Sequence, residues 1–273
     1  AKRELDAVRL ERIRAEEAVK REREAILARE RKLRLLVERM LQTQVRDAIA
    51  IRQEVEARQI QSLVHFTRLE NLSGILERGI LPVSSLGKAG IRNDTERLDG
   101  YKEAVSLSVS FPNYQMFYKY RCLNPNANWA VVGISPEVLT EAPCLFFPTN
   151  AASRTFQNHN DDRLRGLMGA GGFADMFADI EGCRQERGLP ERFTTDPQAE
   201  VLVFAPVPPA MILGVRLLRS DSDAEILARQ FLPASGIAVG GRLFDRREDW
   251  RHWWTESKSD ATPPSASIDG ISF

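Results

Sequence analysis

VHFTRLENLSGILERGILP, residues 64–82, reads as a strand handing over to a helix. Val64 and Phe66 alternate with His65 and Thr67, so a strand Leu63–Thr67 carries His65 and Thr67 on one face. A helix signal follows over Leu69–Arg78, stopped by Gly79 and Pro82. GKAGIRNDTERLDGYKEAV, residues 87–105, is a charged, glycine-containing loop, and SLSVSFPNYQMFYKYR, residues 106–121, continues a second strand (Ala104–Ser110) into a cluster of aromatic side chains. A strand-borne His, a loop rich in Arg and a group of rings at a strand end outline a ligand cleft held by rigid elements.

The flanks differ in kind. Residues 1–59 contain no Gly or Pro and are dominated by Arg, Glu, Ala, Leu and Lys, all good helix formers. Opposite charges recur three or four residues apart, which supports a solvated helix. Leu33, Leu36, Val37, Met40, Leu41, Val45 and Ile49 form a stripe at helical spacing. We read a long charged helical arm or coiled coil, with self-association or a partner contact along it. Deleting residues 1–55 is then expected to spare the chemistry and change the oligomeric state. The interleaved acids argue against a basic helix on RNA or a membrane.

A folded domain is expected over 60–255. Trp129–Ile134, Cys144–Phe147, Ala199–Phe204 and Met211–Leu218 read as strands. Ser135–Leu139 reads as a helical turn, Ala174–Glu186 as a helix, and Asp223–Phe231 as a helix capped by Asp223. Short strands, few helices and long loops give an α+β class built on antiparallel strands. Residues 256–273 are rich in Ser, Pro and Asp and read as a disordered tail.

The totals exclude some functions. Of 273 residues, 38 are basic and 38 acidic, so a chain coated in positive charge for duplex DNA is disfavoured. Three His and three Cys without metal-type spacing suggest no metal centre and no disulfide framework. No apolar run approaches the ~20 residues of a membrane span, and a cytoplasmic protein is expected. GAGG at 169–172 is not followed by Lys-Ser or Lys-Thr, so it is no phosphate-binding P-loop.

HFTRLENLSGILERGILP, NDTERLDG, SLSVSFPNYQMFYKYR, the loop TNAAS and the strand DPQAEVLV, in this order, resemble the motifs of the DarT family. Those are toxin ADP-ribosyltransferases that act on single-stranded DNA. The resemblance covers residues 63–205 and leaves the amino-terminal helix outside it. It implies an ADP-ribosyltransferase-like core, NAD as co-substrate without a metal, single-stranded DNA as substrate and a macrodomain antitoxin as partner.

It also implies roles. Glu200 becomes the catalytic anion facing the ribose carbon that loses nicotinamide, where preorganised charge is most effective. The plainer alternative is a solvated residue at a strand end. Arg97 matches the family's catalytic Arg, either pairing with the pyrophosphate or polarising the accepting base. Arg92 is the other candidate in that loop, and a surface ion pair worth about 0–1 kcal/mol is the rival reading. His65 is assigned to the ribose, with Thr67 beside it. Asn71 touches the nicotinamide side or caps the helix, and Gly74 admits the ligand or packs. Tyr114 is the expected ring contact to NAD and Phe117 a core residue. Tyr118, Lys119, Arg121 and Arg154 would meet the nucleic acid, each stacked base being worth ~1–3 kcal/mol. The same chemistry on RNA or protein, or a binding module without catalysis, are the alternatives.

Overall fold

The computed structural model describes residues 2–86, 100–156, 161–179 and 182–253. The expected disordered tail, 256–273, lies outside them. The chain divides into two compact units, Ala1–Met40 and Leu41–Phe273. Helix α1 (Lys2–Ala57) begins in the first and ends in the second. Within the first unit its surface pairs obey the i,i+4 rule: Arg12 donates to Glu16 at 2.9 Å and Arg21 lies 3.5 Å from Glu17.

The second unit is built on a seven-stranded sheet. In chain order the strands are β1 (Leu63–Arg68), β2 (Val105–Val109), β3 (Trp129–Ile134), β4 (Cys144–Phe147), β5 (Glu200–Val203), β6 (Ile212–Leu217) and β7 (Ile237–Val239). Their spatial order is β4-β5-β2-β1-β3-β6-β7. All pairings are antiparallel except β6 with β7, which is parallel. The α+β class is confirmed. β7, too short and too exposed to carry an alternation signal, is an addition to the strands expected from sequence.

The pairings are unequal. β1 and β3 are in register over six residues, from Leu63–Ile134 to Arg68–Trp129. β1 and β2 pair only at Leu63–Val109 and Val64–Ser108. The ladder joining the two halves of the sheet therefore stops after Val64, and His65–Arg68 run on beside β3 alone. The site is built at this split.

Alternation sends the two sides of the sheet into different cores. Leu63, Leu107, Val109, Val132, Val201, Val203 and Val215 pack with Leu72 and Leu76 of α2 (Leu72–Arg78) and with Phe173. Val64, Val131 and Trp129 pack on the other side with Phe117, Phe193 and Phe244. Gly79 ends α2 at φ +83°, and a Cβ there would strike the Val207 carbonyl, so Gly is required on two counts.

Two sequence expectations are corrected, and one segment that the sequence reading left without an element is defined. The aromatic run after β2 is a helix, α3 (Tyr114–Leu123), entered through Ser110 at φ +59° and capped by Asn113, whose side chain accepts from Met116 N at 3.1 Å. After the four-residue turn α4 (Val138–Glu141) comes α5 (Asp161–Gly166), and the segment expected to be one helix at Ala174–Glu186 is divided: its first two residues end α6 (Gly169–Asp175) and its last four form α7 (Cys183–Glu186). GAGG is thus the first turn of a helix. The helix after β6 is α8 (Ser222–Ala228), capped by Asp221 rather than Asp223, through Ala224 N at 3.0 Å.

The last turns of α1 belong to this unit. Ile51 is fully buried in the main core and Val55 packs against it. Gln44 donates to the Leu139 carbonyl, and Asp47 accepts from Ala170 N at 3.1 Å, satisfying the start of α6. Gly169, at φ +65°, lies where a Cβ would collide with the Asp47 carboxylate. Residues 41–55 thus supply core and cap contacts to this unit, and the deletion of residues 1–55 considered above would remove them.

Candidate active site

Ser106 is the residue on which the site turns. His65 Nδ1 lies 3.0 Å from the Ser106 carbonyl. Since the ladder has stopped, the imidazole takes the place of a main-chain partner on that carbonyl. The Ser106 hydroxyl reaches the Glu200 carboxylate at 3.4 Å, a long contact. Glu200 opens β5 and is 6% exposed. By strand parity Glu200 points away from the side taken by Val201, whereas His65 shares the side of Leu63. In a continuous sheet the two would be separated. The break between β1 and β2 leaves both in contact with one serine, His65 through its carbonyl and Glu200 through its hydroxyl. Ser106 was not singled out from sequence; its signal was the hydroxyl alternation in SLSVS.

The backbone leading to Glu200 is held by its own side chains. Thr194 Oγ1 donates to the Asp196 carbonyl at 2.8 Å, Gln198 N donates to Asp196 Oδ1 at 2.7 Å, and Ala199 N donates to the Asp196 carbonyl at 3.1 Å. This is a side-chain-stabilised turn, a role suited to Asp and Thr.

On the other wall Thr67 is buried, and Asn71 Nδ2 donates to Thr67 Oγ1 at 3.1 Å. Asn71 precedes α2 but makes no capping hydrogen bond with its side chain, so its amide is directed back toward β1. Gly74 lies under the Arg78 side chain. Tyr114 is largely buried in the cluster with Phe117, and burial raises its phenol above the ordinary value. Phe117 is core, as expected, stacked on Phe66 at 4.5 Å.

Among the expected nucleic-acid contacts, Tyr118 is 44% exposed, with the Arg246 guanidinium 5.7 Å from its ring centre. Lys119 is exposed beside it, and Arg154 is exposed on the TNAAS loop. Arg121 is turned inward: it donates to the Phe244 carbonyl at 2.6 Å and lies 4.9 Å over Phe117. Burial draws its pKa below the usual guanidinium value, partly opposed by Asp245. Arg97 and Arg92 lie outside the described residues. Among the described residues no cluster of His, Cys, Asp and Glu is placed to hold a metal, and no helix is long and apolar enough to cross a membrane.

The seven-stranded sheet with its flanking helices is an α+β fold, and the family whose model the chain matches is one of ADP-ribosyltransferases. A family model described as "ssDNA thymidine ADP-ribosyltransferase, DarT" matches residues 64–238, well over half of the chain, and the chain belongs to the DarT family. The family description names an ADP-ribosyltransferase that acts on thymidine in single-stranded DNA. Among solved structures, Thermosipho africanus DarTG in complex with ADP-ribose is 18% identical with a TM-score of 0.42, the match covering 66% of this chain and 49% of that one. Thermus sp. 2.9 DarT in complex with NAD+ is 17% identical with a TM-score of 0.39, covering 70% and 98%. The same Thermus protein in complex with ADP-ribosylated ssDNA is 15% identical with a TM-score of 0.42, covering 70% and 96%. The chain spans about half the length of the Thermosipho chain. No curated protein matches its sequence.

Proposed function

We propose that this chain cleaves NAD at the split between β1 and β2 and passes ADP-ribose to a thymine base in single-stranded DNA. The observation that carries the reading is the shared contact of His65 and Glu200 with Ser106. A buried carboxylate and a half-buried imidazole thereby engage the same serine where the sheet opens. NAD supplies the electrophilic ribose carbon and the nicotinamide leaving group. Glu200 stabilises the positive charge that grows at that carbon, and its burial strengthens the effect by excluding water. The His65 ring, fixed by the Ser106 carbonyl, orients a ribose hydroxyl. Thr67 and Asn71 are polar groups on the same strand–helix corner and hold the dinucleotide, with Gly74 and Tyr114 lining its approach. Arg97 completes the catalytic set. The accepting base nitrogen loses its proton as the new glycosidic bond forms.

The thymine target and the single strand follow the family description. Tyr118, Lys119 and Arg154 are exposed and suited to stack and pair with a strand; Arg121 supports that face by holding Phe244. Action as a cytoplasmic toxin opposed by a macrodomain antitoxin follows the family resemblance. We also assign self-association to residues 1–59, on the exposure of Val19, Ile26, Leu27 and Leu35.

The test is incubation with NAD and, in separate arms, a thymine-containing single-stranded oligonucleotide, RNA or cell lysate. Nicotinamide release with a mass gain on the oligonucleotide alone is expected. Gain on RNA or protein alone moves the target, and folded protein that releases no nicotinamide in any arm overturns the reading.

A further inference from the structure

The segment after β7 lies beyond the residues that match the family model, which end at 238. It holds two short 3-10 turns, Arg242–Phe244 and Trp250–Trp253. Between them sit two charged side chains that are among the most buried in the chain, Arg247 and Asp249, each 2% exposed. Their pairing is bidentate: Arg247 Nε donates to Asp249 Oδ1 at 2.7 Å and Nη2 to Oδ2 at 2.6 Å. The Trp253 indole N–H donates to the same Oδ2 at 2.8 Å. The remaining Arg247 donors are spent on main-chain carbonyls, Thr194 at 2.8 Å and Thr195 at 3.1 Å.

Those carbonyls belong to the loop that delivers Glu200. From the far side Arg184, also buried, donates to the Phe193 carbonyl at 2.7 Å, to Thr195 Oγ1 at 3.2 Å and to the Pro190 carbonyl at 3.2 Å. Two guanidinium groups thus hold the carbonyls of Pro190, Phe193, Thr194 and Thr195. The hydrogen bonds of Thr194 and Ala199 to the Asp196 carbonyl then carry that constraint to the first residue of β5.

A buried ion pair contributes little net stability against an apolar replacement and is better suited to fixing a geometry. We infer that Arg247, oriented by Asp249 and Trp253, is a positioning residue that sets the Glu200 carboxylate in place by clamping the loop Thr194–Ala199. The inference rests on the role proposed for Glu200. It assigns a function to the segment 242–253, which the family match does not reach.

The test uses the full chain with Arg247→Lys, which keeps the charge but loses the planar fork, and Asp249→Asn as the milder variant. Two quantities are read: steady-state NAD cleavage with single-stranded DNA, per folded molecule, and amide exchange across residues 194–200. Small misplacements of a catalytic group cost on the order of tenfold or more in rate. A fall of kcat by about tenfold or more with KM for NAD unchanged is therefore expected for Arg247→Lys. Asp249→Asn should give a smaller fall in the same direction, and it decides the matter if the lysine variant does not fold. Exchange should rise over 194–200 and stay at the wild-type level in β1 and β3. Wild-type kcat per folded molecule in the variants, or exchange raised throughout the sheet, overturns the inference. Wild-type protein that does not cleave NAD defeats the proposed function, while the exchange measurement still decides the clamp.

Discussion

At the scale of single residues, burial sets what substitution will do. Glu200 is buried, with the Ser106 hydroxyl 3.4 Å from its carboxylate. Glu200→Gln removes the charge with little change of volume. Loss of about 10²–10³ in kcat is expected, the scale of removing one electrostatic stabiliser; nicotinamide release per folded molecule checks it. Asp249 bears on stability instead. Burial pushes its pKa up, but the hydrogen bonds and charge of Arg247, with help from Trp253, outweigh burial and leave it below the ordinary value. A depressed carboxylate stabilises the fold above its unfolded pKa, about 3.9, and loses that contribution as pH falls through the lower folded value. The stability gap between wild type and Asp249→Asn should therefore be full near neutrality and close only in acid below about pH 4; melts across that range show it. A gap that narrows already between about pH 5 and 7 would contradict the depressed value. The roles of His65, Thr67 and Glu200 came from the resemblance to the family's motifs, because strand alternation alone left a core His and a solvated Glu as the plainer readings. Ser106, Arg247 and Asp249 were not legible, since their importance comes from partners distant in sequence and a serine in a strand has no composition of its own.

At the scale of elements, most of the sheet was legible from alternation. Trp129–Ile134 and Cys144–Phe147 match their strands residue for residue. What failed has physical causes. α3 begins with ring-bearing residues of modest helix propensity and is fixed by the Asn113 cap and by packing of Tyr114 and Phe117 into an apolar cluster. α6 starts on glycines because Asp47 and Thr43 crowd Gly169, a tertiary demand that no local pattern announces. The division within α1 was also hidden, because its helix signal continues across the boundary at Met40. Two truncations separate its parts. Deleting residues 1–32, which keeps the fully buried Met40, should leave the melting temperature within a few degrees of the full chain. Deleting residues 1–57 removes buried Ile51, worth about 1.5–3 kcal/mol, and the Asp47 contact to α6, worth about 1 kcal/mol. Gln44 and Val55 go with them, and the protein should be obtained unfolded or melt far lower. Circular dichroism of both, with sedimentation of the shorter deletion against the full chain, checks the folding claim and the self-association proposed for the first unit.

At the scale of the whole molecule, charge and register together determine which nucleic acid can be served. The balance of 38 basic and 38 acidic residues leaves no general attraction to phosphate, so a strand must be held by a local face. Tyr118, Lys119 and Arg154 offer rings and a few cations rather than a long positive groove. With Z phosphate contacts the logarithm of single-strand affinity falls against the logarithm of salt with slope about −0.7Z. Two or three such contacts give a slope of about −1.4 to −2.1, well short of a highly charged binder. A base reaching the split must leave its stack, and in duplex that costs a few kcal/mol. Each 1.4 kcal/mol is about tenfold, so duplex of the same sequence should be modified at least about tenfold more slowly than the single strand. Tyr118→Ala should weaken single-strand binding by about 1–3 kcal/mol with KM for NAD unchanged, because Tyr118 is not among the residues proposed to hold NAD. Fluorescence anisotropy over a salt series, with nicotinamide release on matched single-stranded and duplex oligonucleotides, measures all three quantities. A steep salt slope with equal rates on both oligonucleotides would mean that the strand is gripped by a positive surface and its bases are not drawn into the split.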